Sequence, residues 1–214
     1  MWIRWRLIIA ALCCLSWAGM ATAAAVTETP GPSILVVGDS LSAEYGLRRD
    51  SGWVALLSRR LSEEKTGYQI HNASISGDTT SGGVSRLPDA LAHYHPDIVI
   101  IELGSNDALR GLPLTMTQDN LSKMVAMAQE ANASVLILGM HIPPNYGRTY
   151  AEQFHGLFAS VAKQHNAALV PFFMEGIATD ETMFQSDGIH PNEKAQALLE
   201  KNVWAHLAPI LKPN

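Results

Sequence analysis

Ile34-Leu35-Val36-Val37-Gly38-Asp39-Ser40-Leu41-Ser42 is the stretch on which the reading of the chain turns. Its first four residues form an apolar run short enough for one buried strand. Gly38 closes the run and permits a bend, and the segment from Leu41 to Tyr45 is expected to begin a helix. A serine at a strand-to-helix turn stands clear of the backbone, which suits a nucleophile. The spelling G-D-S-L-S differs from the G-x-S-x-G elbow of other hydrolases, so only the logic is shared. The same residues also read as a turn in which Asp39 and Ser40 cap the next helix. Taken alone, the stretch leaves both readings open.

Outward from this turn, strands and helices alternate. A strand is expected at 33–37, and Trp53, Leu56, Leu57 and Leu61 have helical spacing. A second strand covers 68–73, and a loop rich in small polar residues spans 74–83 before a helix at 84–94. The run Ile98-Val99-Ile100-Ile101 in the third strand suggests burial on both faces, as in a parallel sheet. Thr115 and Gln118 have capping-box spacing ahead of Leu121, Met124, Val125 and Ala128. Strands at 135–138 and 167–170 flank a helix carrying Phe154, Leu157, Phe158 and Val161. Pro191 fits the first position of a last helix running to about Leu207. Strand and helix thus alternate five times, the pattern of a doubly wound α/β domain on a parallel sheet.

The first 25 of the 214 residues read differently. Trp2, Arg4, Trp5 and Arg6 form a basic start, Leu7 to Ala18 a short apolar core, and small residues follow. This is the pattern of a signal peptide, with cleavage expected after Ala23 or Ala25. The apolar stretch falls short of the ~20 residues a spanning helix needs, so no stable membrane anchor is expected. Residues 26–214 then form a single domain, expected to be monomeric. Both cysteines, Cys13 and Cys14, lie in the leader, so the remaining domain has no disulfide, thiol nucleophile or cysteine-bound metal. Without Arg4 and Arg6 the chain keeps 13 basic and 20 acidic residues, a net charge of −7. With no basic run, nucleic-acid binding and adhesion to anionic lipid are both disfavoured.

In doubly wound sheets, sites lie outside the carboxyl ends of the strands. There the first strand delivers Ser40 and the second Gly77. The third delivers Asn106, and the last loop delivers Asp187 and His190. These are the residue types of acyl transfer. A serine needs a base, and the imidazole needs an acceptor on its other nitrogen. Asp187, three residues before His190 with Gly188 between, can reach its own histidine across a tight turn. The Ser40 and Gly77 N–H groups and the Asn106 amide are candidate oxyanion donors. Each piece also has a bland reading: a helix cap for 187–191, turn chemistry for Asn106, backbone geometry for Gly77.

Together these blocks resemble the SGNH, or GDSL-type, serine hydrolases. They are Gly38-Asp39-Ser40-Leu41-Ser42, Gly77, Gly104-Ser105-Asn106-Asp107 and Asp187-Gly188-Ile189-His190-Pro191. The strings at 72–79, 171–175 and 187–192 are similar to the branch of periplasmic multifunctional thioesterases, proteases and lysophospholipases, and to related arylesterases. Ser105 stands where that branch carries glycine. The resemblance implies a flavodoxin-like three-layer sandwich. It implies Ser40, Asp187 and His190 as triad and Ser40, Gly77 and Asn106 as oxyanion hole. It further implies ester and thioester substrates, no metal or cofactor, and a periplasmic or secreted protein of a Gram-negative bacterium. Loops over the acyl chain in that branch correspond here to 107–112 and 141–146, making Leu109, Ile142 and Tyr146 the expected chain contacts.

Two rivals remain: a carbohydrate acetylesterase of the same family, and a catalytically silent binding domain. Other features read as incidental. His93 and His95 lack a third metal ligand at convincing spacing. Gly82-Gly83 lacks the Walker lysine. The triplets at Asn72, Asn120 and Asn132 are read as accidental glycosylation matches.

Overall fold

The computed structural model describes residues 31–212. The leader expected at 1–25, with its cleavage sites, lies outside the described residues. Five strands form one parallel sheet: β1 (Ser33–Gly38), β2 (Gln69–Asn72), β3 (Ile98–Glu102), β4 (Ser134–Leu138) and β5 (Ala168–Val170). Six helices accompany them: α1 (Trp53–Glu63), α2 (Thr80–Tyr94), α3 (Ser105–Leu109), α4 (Leu114–Glu130), α5 (Arg148–His165) and α6 (Gln196–Leu207). The strand order is β2-β1-β3-β4-β5, the flavodoxin-like order.

The apolar strands behave as their composition requires. Every residue of β1 and β3 is buried, so both faces of the central sheet are covered. Helices α1 and α6 pack on each other, while α2, α4 and α5 pack in a row. Trp53, Leu57 and Leu61 of α1 and Phe154 and Phe158 of α5 are each no more than 1% exposed. At ~25 cal/mol per Å² of apolar surface, such burial is the main favourable contribution to folding. Among the described residues, no helix is long and apolar enough to cross a membrane.

Chain order reverses between β1 and β3, which makes their carboxyl ends the switch point where doubly wound sheets bind ligands. The register sets Gly38 opposite Glu102, so both strands end level. Residues 39–42 and 103–106 therefore emerge side by side.

Four local expectations differ from the fold. The segment from Leu41 to Tyr45 begins no helix. It is a single turn, with the Ser42 and Ala43 N–H groups donating to the Asp39 carbonyl, and it ends at Glu44 and Gly46, both at positive φ. Glu44 instead accepts from the Asp50 and Gly52 N–H groups ahead of α1. Helix α2 starts at Thr80, inside the expected loop: the Thr79 hydroxyl caps it by accepting the Gly82 N–H, and the buried Asp107 carboxylate accepts the Thr80 N–H. Its Gly83 is a matter of space: a Cβ there would lie 2.5 Å from Leu103 and 2.7 Å from Met124. The capping box at Thr115 and Gln118 does not form, since α4 starts after Pro113 with no side-chain cap. Pro191 does not start α6. It bridges antiparallel to Phe184, and the helix begins at Gln196, whose side chain instead accepts the Trp53 N–H of α1.

Candidate active site

The turn after β1 carries Ser40 half-buried at the switch point. Gly38 serves by the room it leaves. Its φ is not positive, but a Cβ would lie 2.7 Å from Ser42 Oγ and 2.8 Å from Glu102 Oε2. Ser42 donates its hydroxyl to Glu102 Oε2 at 2.8 Å, and the Asp39 N–H donates to the same oxygen at 3.2 Å. The Asp39 carboxylate accepts the Leu41 N–H at 3.0 Å, closing an Asx turn around Ser40.

The last loop carries the imidazole. Its arms are tied by the Phe184–Pro191 bridge and by the Gln185 N–H donating to the His190 carbonyl at 2.8 Å. Gly188, at φ +68, makes the turn between them, where an L side chain would be strained. Asp187 Oδ1 then accepts the N–H groups of Ile189 and His190 at 2.9 and 3.0 Å. Its other oxygen lies 2.7 Å from His190 Nδ1, while His190 Nε2 lies 3.0 Å from Ser40 Oγ. The structure thus brings Ser40, His190 and Asp187 into one chain of hydrogen bonds. First the His190 N–H, then that of Ile189, hold the Asp187 carboxyl down to about 2, so it stays anionic although its side chain is 37% exposed. Tyr45 tilts over the imidazole at 4.5 Å between ring centres.

Asn106 sits in the first turn of α3, beside Ser40. Its amide nitrogen donates to Asp39 Oδ2 at 3.0 Å and to the Asp78 carbonyl at 2.9 Å. Both amide hydrogens are therefore engaged, and donation to an oxyanion requires exchanging one partner. Gly77 lies on the exposed loop after β2 at φ +78, and Arg110, just past the end of α3, donates to its carbonyl at 2.8 Å. Arg86 of α2 anchors this loop, pairing with Asp78 at 2.7 Å and donating to the Ala73 and Gly38 carbonyls.

A cavity of about 710 Å³ opens beside these groups. Ser40, Asn106 and His190 line it, with Leu109, Met140, Ile142, Phe172, Met174 and Phe184 among its apolar walls. Leu109 and Ile142 thus line the same cavity as Ser40. Tyr146 does not line the cavity; it is 43% exposed on the turn at 144–146. The structure adds Glu102, Arg86 and Tyr45 to the site's surroundings. Their one local signal is an acid ending an otherwise apolar strand, at Glu102.

The known proteins this chain resembles carry the same chemistry in their names. The model of the GDSL-like Lipase/Acylhydrolase family matches residues 36–198, which include every block above. Esterase TesA of Pseudomonas aeruginosa is 50% identical over 184 residues, 86% of this chain and 92% of that protein. Thioesterase 1/protease 1/lysophospholipase L1 of Escherichia coli (strain K12) is 39% identical over 179 residues, 84% of this chain and 85% of that protein. Among solved structures, the psychrotrophic esterase EstA from Pseudoalteromonas sp., inhibited by monoethylphosphonate, matches with a TM-score of 0.79 at 42% identity. That match covers 83% of this chain and 97% of the other. With the blocks, the sheet order and the relatives in agreement, this chain belongs to the GDSL-like lipase/acylhydrolase family.

Proposed function

We propose that the protein is an exported serine acyl hydrolase that cleaves carboxylic esters and thioesters through an acyl-enzyme on Ser40. The observation that carries this reading is one imidazole spanning a serine hydroxyl and an anionic carboxylate at the wall of an apolar cavity. His190 Nε2 takes the Ser40 proton as Oγ bonds to the substrate carbonyl carbon. Asp187 accepts the Nδ1–H, holds the tautomer and stabilises the imidazolium. The carbonyl oxygen becomes an oxyanion facing the N–H groups of Ser40 and Gly77 and the Asn106 amide, which releases the Asp78 carbonyl to meet it. One such donor is typically worth ~2.7–4 kcal/mol. The imidazolium then protonates the leaving alkoxide or thiolate as its bond to carbon breaks. Water attacks the acyl carbon with His190 again as base, which frees the acid and restores Ser40. As written, these steps need no metal or cofactor.

Aryl esters, fatty acyl thioesters and lysophospholipids are the substrates proposed. A cavity of about 710 Å³ with apolar walls supports an acyl chain over an acetyl group. Each methylene buried there is worth ~0.8 kcal/mol. That weighs against the carbohydrate acetylesterase alternative. Residues 1–25 are proposed as the cleaved signal that directs the domain of residues 26–214 to the periplasm.

The test is hydrolysis of p-nitrophenyl esters of graded chain length by wild type and Ser40→Ala. Loss of ~10⁴-fold or more in kcat in the variant is expected, with the wild-type rate rising from acetate to longer chains. Equal rates for the two proteins would sink the serine mechanism. A strict preference for acetate would return the sugar esterase.

A further inference from the structure

Beneath Ser40 lies a pair of carboxyl groups that the proposed steps leave unused. Asp39 and Glu102 are each 1% exposed, and two charges so close in an apolar surrounding cannot both persist. The nearby cation, Arg86, spends its carboxylate contact on Asp78 and its remaining donors on the Ala73 and Gly38 carbonyls. The donors around the pair show where a proton belongs. Asp39 receives one donor on each oxygen: the Leu41 N–H on Oδ1 and the Asn106 amide on Oδ2. Glu102 receives the Ser42 hydroxyl and the Asp39 N–H on Oε2 alone. Its other oxygen is left to carry hydrogen.

We infer that Glu102 is a neutral carboxylic acid sharing its proton with Asp39, and that this pair positions the Asn106 amide beside Ser40. The inference rests on reading Ser40 as nucleophile and Asn106 as oxyanion donor. Electrostatics agrees with the donor count. Burial first, then the Asp39 charge, pushes the Glu102 carboxyl well above its ordinary range. Burial raises Asp39 only to about 6, with the Leu41 N–H opposing most strongly. The stronger push falls on Glu102, the same carboxyl on which the donor count leaves an oxygen free for the proton.

The arrangement has a function in orientation. An asparagine amide can turn either its nitrogen or its oxygen toward a reacting centre, and only the nitrogen stabilises an oxyanion. An anionic Asp39 accepts hydrogen and so selects the nitrogen. Glu102 keeps Asp39 anionic without adding a second charge, and it ties Ser42 and the Asp39 N–H to β3. Other groups face the pair from every side: Asn106 of α3, Arg86 of α2, Ser42 of the β1 turn, and His190, whose charge acts on Asp39. Loss of the Glu102 proton governs an alkaline fall, because a second carboxylate repels Asp39 and loosens Asn106.

The experiment joins infrared spectroscopy of the resting protein to pH–rate profiles of wild type, Glu102→Gln and Glu102→Ala. Glutamine keeps the acceptor for Ser42 and a donor toward Asp39 but cannot ionise. Wild type at pH 7 should show the carbonyl band of a buried protonated carboxyl, absent from Glu102→Gln. Glu102→Gln should keep kcat within about tenfold of wild type and lose the alkaline fall, whereas Glu102→Ala should lose about 10²-fold in kcat with little change in KM. Absence of the band from wild type, or an unchanged alkaline fall in Glu102→Gln, overturns the inference. Should Glu102→Ala fail to fold, the band and the glutamine variant still decide. The band is read without turnover, so its absence is separable from the failure of the serine mechanism, which Ser40→Ala reports.

Discussion

Two aspartates flank the same serine, and the protein treats them in opposite ways. Asp39, 1% exposed, has its carboxyl pushed up to about 6 by burial. Asp187, with its side chain 37% exposed, is held down to about 2 by backbone N–H groups. Their ties differ in range as well. Besides the Leu41 N–H, Asp39 is fixed by Glu102 and Asn106, more than 60 positions away in the chain, while the hydrogen bonds of Asp187 all lie within three. The Ser40 side is therefore built into the sheet, and the His190 side is a self-contained loop laid against it. A permanent anion can stand near water, because its charge is wanted and local donors suffice to keep it. A group that must orient a neighbouring amide needs a dry place and rigid partners.

The contrast is breakable. The largest effect is expected from Asp187→Asn, which leaves the loop intact but presents the wrong hydrogen to Nδ1. Such a change costs ~10⁴ in kcat where the aspartate is buried. With Asp187 exposed, about 10³ is expected in steady-state hydrolysis of a short p-nitrophenyl ester. A loss under tenfold would mean that the imidazole is oriented from elsewhere. Asn106→Ala comes next, at about 10² in kcat with KM nearly unchanged, as for removal of one oxyanion donor. A change confined to KM would make Asn106 a binding group.

Stability against pH sharpens the same contrast. The Asp39 carboxyl sits at about 6 in the fold against an ordinary 3.8, so between those values the folded protein binds a proton the unfolded chain lacks. Its contribution is complete below about pH 4 and is lost as pH rises through 6, an effect of roughly 1–3 kcal/mol. The lowered Asp187 acts in the other direction, its contribution being present above pH 3.8 and lost as pH falls toward 2. Urea midpoints from pH 3 to 8 check the signs, and Glu102→Gln should shrink the decline above pH 4 by removing one of the coupled acids. Rising midpoints between pH 4 and 6 would contradict the burial of Asp39.

The smallest effect concerns the ion pair between Arg48 and Glu193, which links the turn after β1 to the segment before α6 at 2.8 Å. The Arg48 side chain is 81% exposed, and exposed pairs contribute little. Arg48→Ala should leave both rate and denaturation midpoint at wild-type values. A rate loss above threefold would show that the two halves need this outer tie as well as the contact between Ser40 and His190.

Much of the site was legible along the chain because it is written in short blocks. Gly188 between Asp187 and His190 announces a turn that returns a carboxylate to its own imidazole, and the structure has that turn. Gly104 ahead of Asn106 announces the break that starts α3. The place of Tyr146 is not legible in this way: its position on a matching loop says nothing of which way that loop faces, and the side chain is exposed away from the cavity lining. The need for glycine at 38 is not legible in periodicity, because its missing side chain makes room for Ser42 and Glu102, partners set by the fold.

The sequence by itself determined the alternation of strand and helix, the parallel sheet and the four blocks at its edge. These follow from apolar periodicity and turn chemistry, which act over a few residues. Tertiary structure alone decided that Asp107 accepts the Thr80 N–H of α2, that Gln196 serves α1, and that Glu102 meets Asp39 beneath Ser40. Each of these joins a polar group to a partner 27 or more positions away. The physical reason is that a buried polar group takes its partner from strand register and packing, here the register that sets Gly38 beside Glu102, and no window of local sequence contains both.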